Sequence, residues 1–296
     1  GARVVEALSS GAMSAVCTAV VKDAVKDAYR ERMLAIIQII FVIGPVAAPI
    51  IGAGILAVAN WRGVFVVLAA VSALEFLMAL VFKETLPAQN RVTTSLPATL
   101  ARLGHVAKNR AFLFFLLITS AWEIGYMAYV SVGSYIYIDF FGFSALGFSL
   151  FFATVALTNA LGPAAWLKIS KNVTHRFFTS LAIVCTIVVG ILILLVGRSN
   201  AFVFCGLFLV FAFFESAVRP YAVNILLAQQ DSDIGSASAL INCMRVFLGA
   251  VGMFLVLLPV FSTYVEATGW MIVAPMTIAL AGWVALLPSR HVVRGL

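Results

Sequence analysis

Apolar runs of about twenty residues alternate along the chain with short breaks that collect most of its Lys, Arg, Asp and Glu. A run of that length crosses the roughly 30 Å hydrocarbon core of a bilayer as a helix. No water reaches the backbone at that depth, so each amide must be satisfied within its own segment, which selects helices over open strands. The pattern predicts an all-α membrane protein with about nine spans, at about 1–21, 33–59, 62–82, 111–138, 145–167, 176–197, 201–228, 236–261 and 268–288.

Composition agrees, with 63% hydrophobic residues, 10% charged and a mean hydropathy of +1.10. Soluble domains carry roughly a quarter charged residues. A net charge of +7 could suggest nucleic acid, but the basic residues are dispersed over breaks on one membrane face instead of forming a patch, which argues against it. If the first break faces inside, nearly all of the 19 Lys and Arg follow it there. Arg62 and Arg198 alone fall outside, and Arg3, Arg219 and Arg245 lie within spans. The C-terminus is then cytoplasmic. Residues 229–235 break the trend, with Asp231 and Asp233 and no base. Arg3 and Glu6 stand only a few residues from Gly1, as though the first helix began partway along, so three further spans are expected ahead of it.

The longest break divides the chain into residues 1–82 (three spans), a linker at 83–110 and residues 111–296 (six spans). Within the linker Leu96, Leu100, Leu103 and Ala107 recur at helical spacing, which reads either as an amphipathic helix on the inner leaflet or as a solvated connector.

The candidate chemistry lies in charges inside the spans. Ionisable groups at that depth cost several kcal/mol and by default mark a path for ions or polar solutes. Glu215 and Arg219 are spaced to pair along one helix, as part of such a path or as a strut. Glu123 has no base within a turn of its own helix. It is either a carboxyl that exchanges protons near neutral pH or one satisfied by a neighbouring helix. Tyr126 lies one turn from Glu123, and Phe208 and Phe211 lead along their helix to Glu215. Acids among rings would suit a lipophilic cation, although with 24 Phe in the chain any one ring can equally serve packing. In the second span Gly44, Ala48 and Gly52 form a stripe of small residues followed by Gly54, and Pro45 and Pro49 remove two helical hydrogen bonds. Close helix packing and a built-in bend both follow. The four cysteines lie in predicted spans and His105, His175 and His291 are scattered, so no disulfide framework, metal set or cofactor is expected. No nucleophile and base are arranged for an enzyme.

Taken together these residues resemble the drug:proton antiporters of the major facilitator superfamily, in particular the Bcr/CflA-type multidrug exporters. The resemblance rests on Gly44-Pro45 through Pro49, Gly52 and Gly54 as an antiporter signature, and on Arg3, Glu6, Ala7 and Ser9 as the signature of the fourth helix. Collinear echoes are Val21-Lys22-Asp23, Trp61-Arg62 with Phe65, Glu84-Thr85-Leu86 and Gly235-Ser236-Ala237-Ser238-Ala239. Glu6 replaces the usual glutamine, and Gly133-Ser134 stands where relatives commonly have proline. The resemblance implies helices 4 to 12 of a twelve-helix bundle, with Arg3, Glu6, Glu123, Glu215 and Arg219 facing one pathway. It further implies a monomer in a bacterial cytoplasmic membrane that exports small drug-like solutes, cations among them, in exchange for protons by alternating access. A proton-coupled importer or uniporter of a small metabolite would share the fold. A fragment without transport activity is the remaining alternative.

Overall fold

The computed structural model describes residues 44, 47–82, 101, 103–104, 106–229, 234–286 and 293. The predicted span at 1–21, with Arg3 and Glu6, lies outside them, as do Pro45 and much of the span at 33–59. The chain divides into two compact units, Gly1–Thr93 and Thr94–Leu296.

In the first unit an apolar helix, α1 (Ala47–Val58), precedes α2 (Trp61–Val81). Asn60 caps α2 by accepting the Arg62 amide at 3.0 Å, and the Arg62 guanidinium lies 4.5 Å over the Trp61 ring. No residue of α2 is buried, although the helix is apolar on every side. A helix apolar all round needs lipid or other helices around it. Pro49 lies near the start of α1, and among the described residues of this unit nothing comes within 4 Å of a Cβ built on Gly44, Gly52 or Gly54.

The second unit is a helical bundle: α3 (Arg110–Ser120), α4 (Trp122–Ser134) with a π-helical continuation at Tyr135–Phe140, α5 (Ala145–Ile169), α6 (His175–Val196), α7 (Ala201–Ala228), α8 (Ile234–Leu255) and α9 (Tyr264–Leu286). Seven segments among the described residues are long and apolar enough to cross a membrane. One is α2, and α3, α4 and the π segment together form another, of 31 residues. Their limits follow the predicted spans within a few residues, except that α8 stops at Leu255, ahead of Pro259. No strand occurs among the described residues.

Side-chain caps start most of these helices. Ser144, Thr174 and Asn200 accept amides of the first turns of α5, α6 and α7. Asn109 accepts the Phe112 amide at 3.2 Å while its amide group donates to the Gln229 carbonyl at 3.0 Å. One side chain thus begins α3 and holds the end of α7 beside it. Gly142 (φ 75°) makes the turn into α5, a conformation that a Cβ disfavours.

The centre of the bundle is α7, packed between α5 and α6, while α8 lies on α4 and α9 on α6 and α4. Glycines permit these approaches, as expected where lipid removes the hydrophobic drive for helix association and close packing must replace it. A Cβ on Gly162 would collide with Ser216 of α7, and one on Gly252 would collide with the backbone carbonyl of Ile124. Of the described residues of the linker, 101, 103–104 and 106–107 are helical, ahead of a turn at 108–109. The buried one is Val106, off the expected stripe, and it joins the bundle core.

Candidate functional site

The long span that carries Glu123 is not one continuous rod. Thr119 Oγ1 donates back to the carbonyls of Phe115 (2.9 Å) and Leu116 (3.3 Å), a bond that tends to bend helices. Directly after it the ladder tightens, with the Ala121 amide bonding to Ile118 and the Ile124 amide to Ala121 instead of reaching one residue further back. Glu123 therefore opens a new helix, α4, in mid-span. On α7 Glu215 and Arg219 are one turn apart, and Pro220 follows, so the Ser216 carbonyl lacks its usual helical donor. On α8 Arg245, Gly249 and Gly252 share one face, and the two glycines bring that face against α4.

These three helices assemble a quartet. Arg245 donates Nε to Glu123 Oε1 at 2.8 Å and also reaches that oxygen through Nη2. Arg219 Nη2 donates to the same oxygen at 3.2 Å and to Glu215 Oε1, while Arg245 Nη2 lies 3.8 Å from Glu215 Oε1. The acids are 5% and 4% exposed, whereas the Arg219 side chain is 40% exposed and that of Arg245 19%. The carboxylates are thus buried more deeply than the arginine side chains that hold them. Charge-assisted bonds of this kind are the strong ones, and pairing is what makes buried carboxylates affordable.

Neighbouring helices supply the partners that Glu123 lacks on its own helix. Arg219 arrives from α7 and Arg245 from α8. Reading the sequence placed Arg245 within a span without assigning it a role. Its signal was the position one and two turns before Gly249 and Gly252, which marks the face of α8 that contacts another helix. The quartet also changes the charge argument: two acids and two bases carry no net formal charge, so the attraction that isolated acids would exert on a cation is cancelled within the cluster.

The aromatic candidates divide. Tyr126, half-buried, accepts a hydrogen bond from Asn159 Nδ2 of α5 at 2.7 Å, a partner that sequence reading missed. Phe208 and Phe211 are fully buried. Phe208 stacks on Tyr129 with 3.9 Å between ring centroids, and Phe211 lies 5.4 Å from Phe208, so both belong to a packed ring cluster.

Beside the quartet lies a small cavity of about 20 Å³, lined by Thr119 and Ser120 of α3, Glu215, Arg219 and Ala222 of α7, Arg245 of α8 and neighbouring apolar side chains. Ser120 Oγ, Glu215 Oε2 and Arg219 Nε are buried polar atoms with no hydrogen-bond partner among the described residues. No group of His, Cys, Asp and Glu suited to a metal ion occurs among the described residues.

Comparison with known proteins follows the same line. Residues 1–253 match the Major Facilitator Superfamily. An uncharacterized MFS-type transporter of Bacillus subtilis, YdgK, is 24% identical over 84% of this chain and 63% of its own length. The multidrug resistance protein MdtL of Vibrio parahaemolyticus is 27% identical over 85% of this chain and 66% of its own. A bicyclomycin resistance protein homolog of Haemophilus influenzae is 22% identical over 84% and 63%. The chain thus spans a little under two thirds of the length of these relatives. A helical membrane bundle with charges buried at mid-span, matched over most of its length, belongs to the Major Facilitator Superfamily of transporters.

Proposed function

We propose that this transporter exports small lipophilic solutes across the bacterial cytoplasmic membrane in exchange for protons, as a monomer with its C-terminus inside. The observation that carries the reading is the buried quartet of Glu123, Glu215, Arg219 and Arg245. Relatives named for multidrug and bicyclomycin resistance support export over import.

The quartet suggests how coupling would work. Removing one partner of a buried ion pair costs about 3–5 kcal/mol. Driving a two-state equilibrium from one side fully to the other takes about 5.5 kcal/mol. Protonating one carboxylate releases an arginine from it, and the energy involved is of the size needed to move a helix bundle between two packings. Alternating access then follows when solute binding and protonation favour opposite states. Glu123 and Glu215 supply the carboxylates from which the accepting group comes, Arg219 and Arg245 hold them, and Tyr126 with Asn159 forms the adjoining polar contact. Arg3 and Glu6 are assigned to the same pathway by resemblance, and the segment from Gly44 through Pro45, Pro49 and Gly52 to Gly54 to the pivot.

The test is efflux of a lipophilic dye from proteoliposomes under an imposed pH gradient. Expected is extrusion that rises with the gradient and collapses with a protonophore. Downhill metabolite uptake with no dye movement would favour the importer or uniporter reading.

A further inference from the structure

The two carboxylates of the quartet are not equivalent. Glu123 has its Oε1 clamped by both arginines. Glu215 spends only Oε1 on arginine, and Oε2, in a residue 4% exposed, has no protein partner among the described residues. Glu215 also lines the cavity described above, together with Ser120, itself fully buried with an unpartnered hydroxyl, and Arg219, whose Nε is likewise unpartnered.

What can occupy such a place follows from its donors and acceptors. A cation would meet Arg219 and Arg245, and an anion would meet Glu215. A neutral dipole that both donates and accepts fits all three free atoms: it can donate to Glu215 Oε2, accept from Arg219 Nε and do either with Ser120 Oγ. Water needs two to four such partners and roughly 10–15 Å³ of cavity volume, so a cavity of about 20 Å³ holds one. The lining also has a direction. On α7 it runs from Glu215 through Ala222 and Val223 to Leu226, and on α3 from Ser120 back to Leu116. At 1.5 Å per residue the stretch from Arg219 to Leu226 covers roughly 10 Å toward the end of the bundle where α3 begins and α7 ends. Lys108 and Arg110 lie at that end.

Resting on the export reading, we infer that Glu215 rather than Glu123 is the carboxyl that exchanges protons, and that a water held by Ser120, Glu215 and Arg219 is its first proton partner on the side of the bundle end bearing Lys108 and Arg110. The charged and titratable groups facing Glu215 are Arg219 on its own helix, Glu123 and Tyr126 on α4 and Arg245 on α8, while α3 contributes the hydroxyls of Thr119 and Ser120. Ser120 is a positioning residue: it holds the relay and does not itself take up the proton.

The experiment is infrared titration of the complete protein in lipid, following the carbonyl band of a protonated carboxyl. Expected is a band that appears on acidification, persists in Glu123→Gln and vanishes in Glu215→Gln. Persistence in Glu215→Gln, loss in both variants, or no such band in the wild type overturns the assignment. After a pH jump, Ser120→Ala should slow growth of the band about tenfold, the scale of one lost hydrogen-bond partner, while the band still titrates fully. Should that variant fail to fold, Ala222→Val fills the same space and is expected to slow it likewise. An unchanged rate overturns the water route. Dye efflux is measured in parallel. Normal coupled efflux with the band on Glu123 sinks this inference and leaves the export reading intact, whereas no gradient-driven efflux with the band on Glu215 does the reverse.

Discussion

Two regions meet along α4, and they are built on opposite terms. At its start Glu123 joins Glu215, Arg219 and Arg245, charges from three helices that share a few acceptor oxygens and leave buried polar atoms without partners. Toward its far end Tyr129 and Tyr137 sit among Phe151, Phe152, Phe204 and Phe208, with stacked pairs at 3.9 Å (Tyr129–Phe208) and 4.4 Å (Tyr137–Phe151). The ring cluster carries no charges to exchange and is held by the packing of its rings, with the Tyr129 and Tyr137 hydroxyls buried and without a hydrogen-bond partner among the described residues. The quartet can trade partners, because each guanidinium offers several donors and two carboxylates compete for them. On the export reading, a bundle with both regions would change state at one end of α4 while the other end holds it together.

The largest expected effect tests whether the quartet is a strut or a switch. Glu123→Gln leaves two arginines facing one acid and should lower stability by about 3–5 kcal/mol, read as a drop in thermal midpoint in detergent. Combining it with Arg245→Gln restores charge balance. The double variant should recover much of the lost stability, with a coupling energy of about 1–3 kcal/mol, yet fail to couple efflux to the pH gradient. Full recovery of coupled efflux in the double variant would make the quartet a strut.

Next in size is the contact that delivers Arg245. Gly252→Ala places a methyl against the Ile124 backbone carbonyl, which cannot rotate away, so α8 must move off α4. Overpacking of this kind costs about 1–3 kcal/mol. Coupling should suffer as well, since the same displacement draws Arg245 from Glu123. Stability loss with an unaltered pH dependence of efflux would show that the two helices need not be so close.

In the ring cluster, Phe208→Leu should cost the stacking on Tyr129, about 0.5–1.5 kcal/mol beyond the lost area. The pH dependence of efflux should stay where it is. A shifted pH profile would mean that the rings and charges form one functional region, and the contrast drawn above would fail.

How far each region could be read in advance follows from what sets it. Span limits were legible because the length of an apolar run is a property of the chain alone, and α7 occupies Ala201–Ala228 as the pattern predicted. The pair Glu215–Arg219 was legible because i, i+4 spacing is local. The bonds from Arg219 and Arg245 to Glu123 were not, since they depend on how three helices are rotated about their axes, which hydropathy leaves open. The break at Ala121 has no proline or glycine to announce it. It follows a back-bonded threonine, whose effect shows only once the helix is built. The π segment at Tyr135–Phe140 is similarly silent in sequence.

The smallest effect supplies the control for the first. Arg198 and Glu266 form an ion pair at 2.5 Å between the end of α6 and the start of α9, with side chains 44% and 24% exposed. Chemically it matches the buried pairs, but water competes for both partners, and such surface bridges contribute about 0–1 kcal/mol. Glu266 Oε2 also accepts the Ser262 amide at 3.1 Å, so Arg198→Gln leaves that acid with a partner and removes only the charge contact. Expected is a change in thermal midpoint near the error of measurement, shrinking further as salt is raised, because solvent-facing charges are screened within about 10 Å at 0.1 M ionic strength. A loss approaching that of Glu123→Gln would show that burial is not what separates the quartet from an ordinary bridge, and the case for Glu123 and Glu215 as switchable groups would lose its energetic basis.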